Sequence, residues 1–198
     1  MLLALFIAPL LLTGKAYADD YILDSKEGHA FIQFKAKHLG YSWVLGRFNE
    51  FNGTFSHDSK TGIISNVSAT IEMESIDSNH AERDKHLRGG DFLKVRKFPE
   101  AQFESTGFKS TGKGKGVLKG TLTLLGKQWP VSINVTAMGT PGIDPWGGYR
   151  IGFEGRCKLQ LNNSGIALRG SPIIDIFIAI EGVRGSPPAE EEANPFAL

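Results

Sequence analysis

Three observations predict an all-β fold of about eight strands with one short helix. Apolar and polar residues alternate with period two over most of the chain. The 24 glycines and 9 prolines interrupt that alternation at short intervals, as turns between antiparallel strands require. Only residues 79–88 carry helical spacing. Uniform alternation gives each strand one wet and one dry face, the pattern of an antiparallel sheet. Such a sheet either closes into a barrel or stacks as a two-sheet sandwich, and alternation fits both.

The chain opens on an address. An apolar run over 2–12 is followed by Thr13-Gly14-Lys15 and Ala16-Tyr17-Ala18, the h-region and small-x-small cleavage site of a secretory signal. The run is shorter than the roughly 20 apolar residues that span a bilayer. Because no Lys or Arg precedes Leu2, an uncleaved anchor or a displaced start is the alternative. The expected plan is a signal peptide over 1–18, a β domain over 19–184 and a tail over 185–198. The tail holds Pro187-Pro188, then Glu190-Glu191-Glu192 and Pro195, without periodicity, and is expected to be disordered.

The first alternating segment puts Ala30, Ile32, Phe34, Ala36 and His38 on one face, with Gln33, Lys35 and Lys37 opposite. Val67, Ala69, Ile71 and Met73 form the dry face of a second, over 67–74. In a third, Ile151, Phe153, Cys157, Leu159 and Leu161 oppose Arg150, Glu154, Arg156, Lys158 and Gln160. Shorter strands are expected over 48–56, 101–108, 117–124, 131–137 and 173–183. The helix over 79–88 is expected to start on an Asn79/Glu82 capping box and to stop at Gly89-Gly90. Glu82/His86 and Asp84/Arg88 stand at i,i+4 spacing on it.

Composition excludes several functions. With 198 residues, 41% of them hydrophobic, the chain can bury a core, and a net charge of +1 leaves no basic excess for nucleic acid. One cysteine, Cys157, rules out an internal disulfide and any cysteine-based zinc cluster. His80 and His86 are six apart, the wrong spacing for two ligands on one helical face, so no metal site is expected. No Gly-x-Ser-x-Gly elbow is present, and Gly112 to Gly116 is not followed by a helix as a phosphate loop would be, so no catalytic residue is expected. The charged residues Arg83, Asp84, Lys85, His86 and Arg88 read either as a solvated helix face or as a rim at a barrel mouth. Asp144-Pro145-Trp146-Gly147-Gly148-Tyr149-Arg150 reads as a turn with an aromatic anchor, or as part of a pocket rim.

These segments also carry a resemblance. Glu27-Gly28-His29-Ala30, Lys37-His38-Leu39-Gly40-Tyr41-Ser42-Trp43 and the stretch from Gly46-Arg47-Phe48 to Gly53-Thr54-Phe55 resemble the opening of the YceI-like, polyisoprenoid-binding periplasmic family. The run from Ser75-Ile76-Asp77-Ser78-Asn79-His80 to His86-Leu87-Arg88 is similar to that family's most distinctive motif. Lys97-Phe98-Pro99, Gly120-Thr121-Leu122-Thr123-Leu124-Leu125-Gly126 and Asp144-Pro145-Trp146-Gly147 follow in the family's order, so the likeness runs over about residues 21–184. Leu161-Asn162-Asn163-Ser164-Gly165-Ile166 departs from it.

The resemblance implies an extended, lipocalin-like antiparallel barrel that encloses an isoprenoid lipid, a quinone such as ubiquinone or a polyprenyl phosphate, with no catalytic cofactor. It implies a periplasmic location, homodimers, and a membrane redox or lipid-handling partner. Ile32, Phe34, His38, Trp43, Phe48, Phe55, Ile71, Met73, Phe103, Leu122, Trp146, Phe153 and Ile176 are then the expected lining, with Arg83, His86 and Arg88 at a head-group rim. The alternatives are an enzyme acting on such lipids, or a structural or stress-response barrel with a filled interior.

Overall fold

The alternating segments pair into one antiparallel sheet that closes on itself. A computed structural model describes residues 18–26, 28–162, 164–166 and 170–184. The signal expected over 1–18, apart from Ala18, and the tail expected over 185–198 lie outside the described residues. Among the described residues no helix is long and apolar enough to cross a membrane.

The strands are β1 (Ala18–Leu23), β2 (Phe31–His38), β3 (Ser42–Phe48), β4 (Phe51–Asp58), β5 (Ile63–Glu72) and β6 (Ile76–Asp77). After helix α1 (Ala81–Arg88) come β7 (Glu100–Gly112), β8 (Lys115–Leu124), β9 (Lys127–Ala137), β10 (Gly142–Ile143), β11 (Tyr149–Gln160) and β12 (Gly170–Arg184). The twelve strands fill eight positions around a closed barrel, because four positions hold two short strands end to end. One edge of β12 pairs with β2 through residues 170–179 and with β1 through 182–184. In the same way β3 continues β4, β6 continues β5, and β10 continues β9 along the edge of β11. Twelve consecutive pairs between β11 and β12, from Tyr149–Arg184 to Gln160–Ile173, close the ring.

Several boundaries differ from the sequence expectation. Of the strand expected over 48–56, residues 51–56 belong to β4, whereas Phe48 ends β3, a strand the alternation does not announce, and Asn49 and Glu50 lie between the two. The one expected over 67–74 begins at Ile63, and Met73 opens a 3-10 turn (Met73–Ser75) instead of ending a strand. The helix cap is His80, not Asn79: the His80 Nδ1 accepts from the Arg83 N–H at 3.2 Å, while Asn79 takes a left-handed φ of 62°. Neither expected i,i+4 pair forms. Asp84 turns inward to accept from the Ser78 N–H and Oγ at 2.9 and 2.5 Å, and His86 reaches Asp91 at 3.9 Å. Those partners lie off the helix: two donors from Ser78 satisfy the buried Asp84 carboxylate, and Arg88 is taken by the Glu74 and Ile76 carbonyls. Gly89 does stop the helix, donating its N–H to the His86 carbonyl with an ordinary φ of −70°.

The core gathers toward the two ends of the barrel. At one end Tyr21 stacks on Phe55 with ring centroids 5.1 Å apart, and Phe55 meets Phe153 edge-on at 5.6 Å. The Arg184 guanidinium lies 4.2 Å from the Tyr149 ring and 2.5 Å from Asp19, a cation held between a ring face and a carboxylate. Ala30, Met73, Leu124, Leu125 and Leu161 gather at the helix end.

His57 is buried against Phe153 at the first end, and its Nδ1 has no hydrogen-bond partner among the described residues. Burial lowers its pKa from 6.5, although Asp58 and Asp19 pull the other way. The unfolded chain therefore binds a proton that the folded chain resists. Stability from neutral His57 is complete above about pH 6.5 and is lost as pH falls through and below that value. Urea midpoints should fall over that interval in the native protein and fall less in His57→Gln. Parallel acid limbs would contradict the assignment.

Candidate functional site

The barrel holds an apolar cavity of about 280 Å³. Every strand except β10 contributes to its wall, and all the side chains lining it are apolar apart from the Cys157 thiol. Burial pushes that thiol up to about 11, so it is protonated at neutral pH and behaves as a small hydrophobe. Among the described residues, the lining offers no ionised or hydroxyl group. What the cavity can do is shelter hydrocarbon.

The opening between strands has a local cause. Large rings on a barrel's inner face normally cross the axis and fill it. Here they lie along the wall over glycines one or two strands away. A Cβ on Gly120 would sit 2.3 Å from Phe103 Cζ, one on Gly46 would sit 2.3 Å from Phe34 Cζ, and one on Gly182 would sit 2.4 Å from Phe55 Cζ. Those glycines are the hollows that receive the rings, leaving the axis free. Gly155 differs, because it lines the cavity itself, and a Cβ there would meet only the side chains of Ile133 and Ile178.

Ten of the expected lining residues do face this space: Ile32, Phe34, Phe48, Phe55, Ile71, Met73, Phe103, Leu122, Phe153 and Ile176. Three do not. His38 stands exposed at the end of β2, where the alternation runs out into the hairpin turn. Trp43 lies opposite Lys37 on the outer face of β3 and is 51% exposed. Trp146 is 85% exposed on the turn before β11, so it anchors nothing. That turn is tied instead by Asp144, which accepts from the N–H groups of Trp146 and Gly148 and from Arg150. These bonds, the Arg150 contact foremost, hold the Asp144 carboxyl below the usual range.

No sequence pattern announces the lid. Leu87 on α1, Phe92 and Leu93 just beyond it, and Ile166 close the cavity at the helix end. The helix is stapled in place by the two arginines expected at the rim. Arg83 donates to the Ser78 Oγ and carbonyl at 2.7 and 2.6 Å. Arg88 donates to the Glu74 and Ile76 carbonyls at 2.7 and 2.9 Å. His86 is exposed and packs its ring edge-on to Phe92 at 4.9 Å.

Beside this lid, a polar groove lined by Gln33, Leu45, Gly46, Arg47, Asp77, Ser78 and Asn79 meets the barrel wall at Phe34, which lines both groove and cavity. Three metal-type ligands converge at Asp24, His29 and Glu181 on the outside of the barrel. Arg150 donates to Asp24 and lies 3.2 Å from Glu181, so a guanidinium already takes the place a cation would need.

The comparisons with known proteins agree with this geometry. The family model described as a YceI-like domain matches residues 21–181. A UPF0312 protein of Pseudomonas aeruginosa is 49% identical over 174 residues, covering 86% of this chain and 90% of the relative. The crystal structure of the Campylobacter jejuni YCEI protein superposes with a TM-score of 0.69 at 26% identity, over 76% of this chain and 90% of that one. A polyisoprenoid binding domain from Saccharophagus degradans, implicated in plant cell wall breakdown, shares the fold at a TM-score of 0.59 and 11% identity, over 83% of this chain and 98% of that one. The chain belongs to the YceI-like family.

Proposed function

We propose that this protein is a periplasmic carrier that holds the polyprenyl tail of an isoprenoid quinone or polyprenyl phosphate inside its barrel. The observation that carries the reading is the lining: a space of about 280 Å³ walled by apolar side chains and the Cys157 thiol. Apolar cavities of about 150 Å³ stay dry and accept a molecule of benzene's size. This one has room for a chain segment. Each methylene buried is worth about 0.8 kcal/mol, so a five-carbon unit offers about 4 kcal/mol before losses. Association costs roughly 4–15 kcal/mol, which several units together exceed without a polar contact. Affinity then resides in the tail, and the head group sets direction. The secretory signal expected over 1–18 supports the location.

Purified protein extracted with organic solvent should release a polyprenyl lipid in near-stoichiometric amount, identified by mass spectrometry. Protein that releases none, and takes up no neutral prenyl quinone when titrated, would favour a solid barrel and overturn the reading.

Phe34→Asp tests the wall. Phe34 is half-buried and borders the polar groove, so an aspartate there has water within reach and the barrel should still fold. The same carboxylate faces the tail across the cavity wall, and affinity for a neutral prenyl quinone should fall by about tenfold or more. A folded variant with unchanged affinity would remove this position from the site.

A further inference from the structure

We infer that the β2–β3 hairpin docks this protein on a bilayer carrying anionic lipids. The inference rests on the carrier reading, because a bilayer is where a polyprenyl tail resides. The hairpin exposes Leu39, Tyr41, Trp43 and Leu45 at 51%, 89%, 51% and 64%. These side chains are neighbours: Trp43 and Leu45 share the outer face of β3, and Leu39 and Tyr41 form the turn that enters it. Apolar and aromatic residues on a hairpin tip cost solvation in water and gain it at a lipid interface, where tryptophan and tyrosine concentrate.

The surrounding charge favours that occupant. Lys35 lies 4.2 Å from the Trp43 ring centroid, and Lys37 is exposed directly opposite Trp43. On the adjoining outer face, Lys158 and Lys35 share the single carboxylate of Asp175, at 3.9 and 3.7 Å. Arg47 closes the far side of the patch, 3.5 Å from Asp77. Cations thus outnumber carboxylates around the aromatic tip, which complements phosphatidylglycerol head groups and not neutral ones. The exposed apolar residues Met138, Ile143 and Trp146 lie near the opposite end of β12 from Trp43, where Tyr149 pairs with Arg184.

Topology links this surface to the cavity. The outer edge of β3 pairs with β6 only at Arg47 and Phe48, so Ser42 to Gly46 leave it open. Gly46 on that edge is covered by the Phe34 ring, which separates the outer groove from the apolar interior. With the hairpin seated in the interface, the open edge and the Phe34 boundary face the bilayer, and a tail passes sideways into the barrel.

Flotation with phosphatidylcholine vesicles, with and without phosphatidylglycerol, tests this. Binding is expected only with phosphatidylglycerol and should weaken as salt rises. In single-tryptophan proteins, brominated lipid should quench Trp43 and leave Trp146 unquenched. The pair Trp43→Ser and Leu45→Ser should weaken vesicle binding by about tenfold or more, while uptake of a water-soluble, short prenyl alcohol stays unchanged because both side chains face outward. No binding to either vesicle, quenching of Trp146 in place of Trp43, or a double variant that loses self-association but not vesicle binding would overturn the docking assignment. Vesicle binding by a protein that takes up no prenyl alcohol would overturn the carrier reading instead.

Discussion

A Gly155→Leu protein is expected to fold, to melt no lower than the native protein, and to lose its capacity for a prenyl tail. Gly155 lies on β11 and lines the cavity. Its φ is outside the left-handed region, and a Cβ there would meet side-chain atoms only: Ile133 Cγ2 at 3.0 Å, and Ile178 Cβ and Cδ1 at 3.4 and 3.7 Å. A shift of a few tenths of an ångström in Ile133 accommodates it. The leucine then occupies space that the tail would use. Burying it is worth about 1.5–3 kcal/mol, against about 0.5–1.5 kcal/mol for an off-rotamer neighbour. Displacing one five-carbon unit removes about 4 kcal/mol of binding, close to three orders of magnitude in affinity. Thermal melting and titration with a neutral prenyl quinone give the two readouts. A stable variant with native affinity would place the tail outside the barrel.

Replacing Arg83 and Arg88 together by alanine is the second large effect, and it should strike a neutral quinone as hard as a charged lipid. Both guanidinium groups are committed to carbonyl and hydroxyl oxygens of residues 74–78 and hold α1 where Leu87 meets the cavity. Hydrogen bonds to a charged group are worth about 1.5–3 kcal/mol each. Partial exposure and the Glu74 ion pair at 3.3 Å moderate the net loss at Arg88. The lid should loosen, affinity for a neutral prenyl quinone should fall by about tenfold or more, and salt should change that loss little. A loss confined to a diphosphate lipid and abolished by salt would instead assign the arginines to the head group.

The sequence made the barrel wall legible because period two survives wherever one face is dry. Ile32, Phe34 and Ala36 on β2, and Val67, Ala69 and Ile71 on β5, line the cavity as the alternation requires. Alternation says nothing about where a strand breaks without changing place. Asn49 and Glu50 therefore separate β3 from β4 unannounced, and β1, with Asp19 and Asp20 side by side, shows no clear alternation. His38 and Trp43 were misplaced at a hairpin, where a strand leaves the barrel and its inner face ceases to be inside. Charge spacing on the helix misled for a related reason. The i,i+4 rule describes an isolated helix surface, whereas Asp84 is buried against Ser78 and Arg88 reaches back to Glu74 and Ile76. The cavity itself was the least visible feature. It depends on rings lying over glycines 12 to 127 positions away, as Phe34 covers Gly46 and Phe55 covers Gly182, and no local pattern records such a pairing.

Photolabelling with a neutral prenyl chain bearing a diazirine at its far end locates the tail directly. After irradiation and digestion, the label should fall on inward residues of the barrel, Phe103, Ile133 and Ile178 among them, and excess unlabelled prenyl quinone should suppress it. Label confined to outward positions such as Trp43, Trp146 or Lys109, or unaffected by competitor, would contradict a tail held inside the barrel.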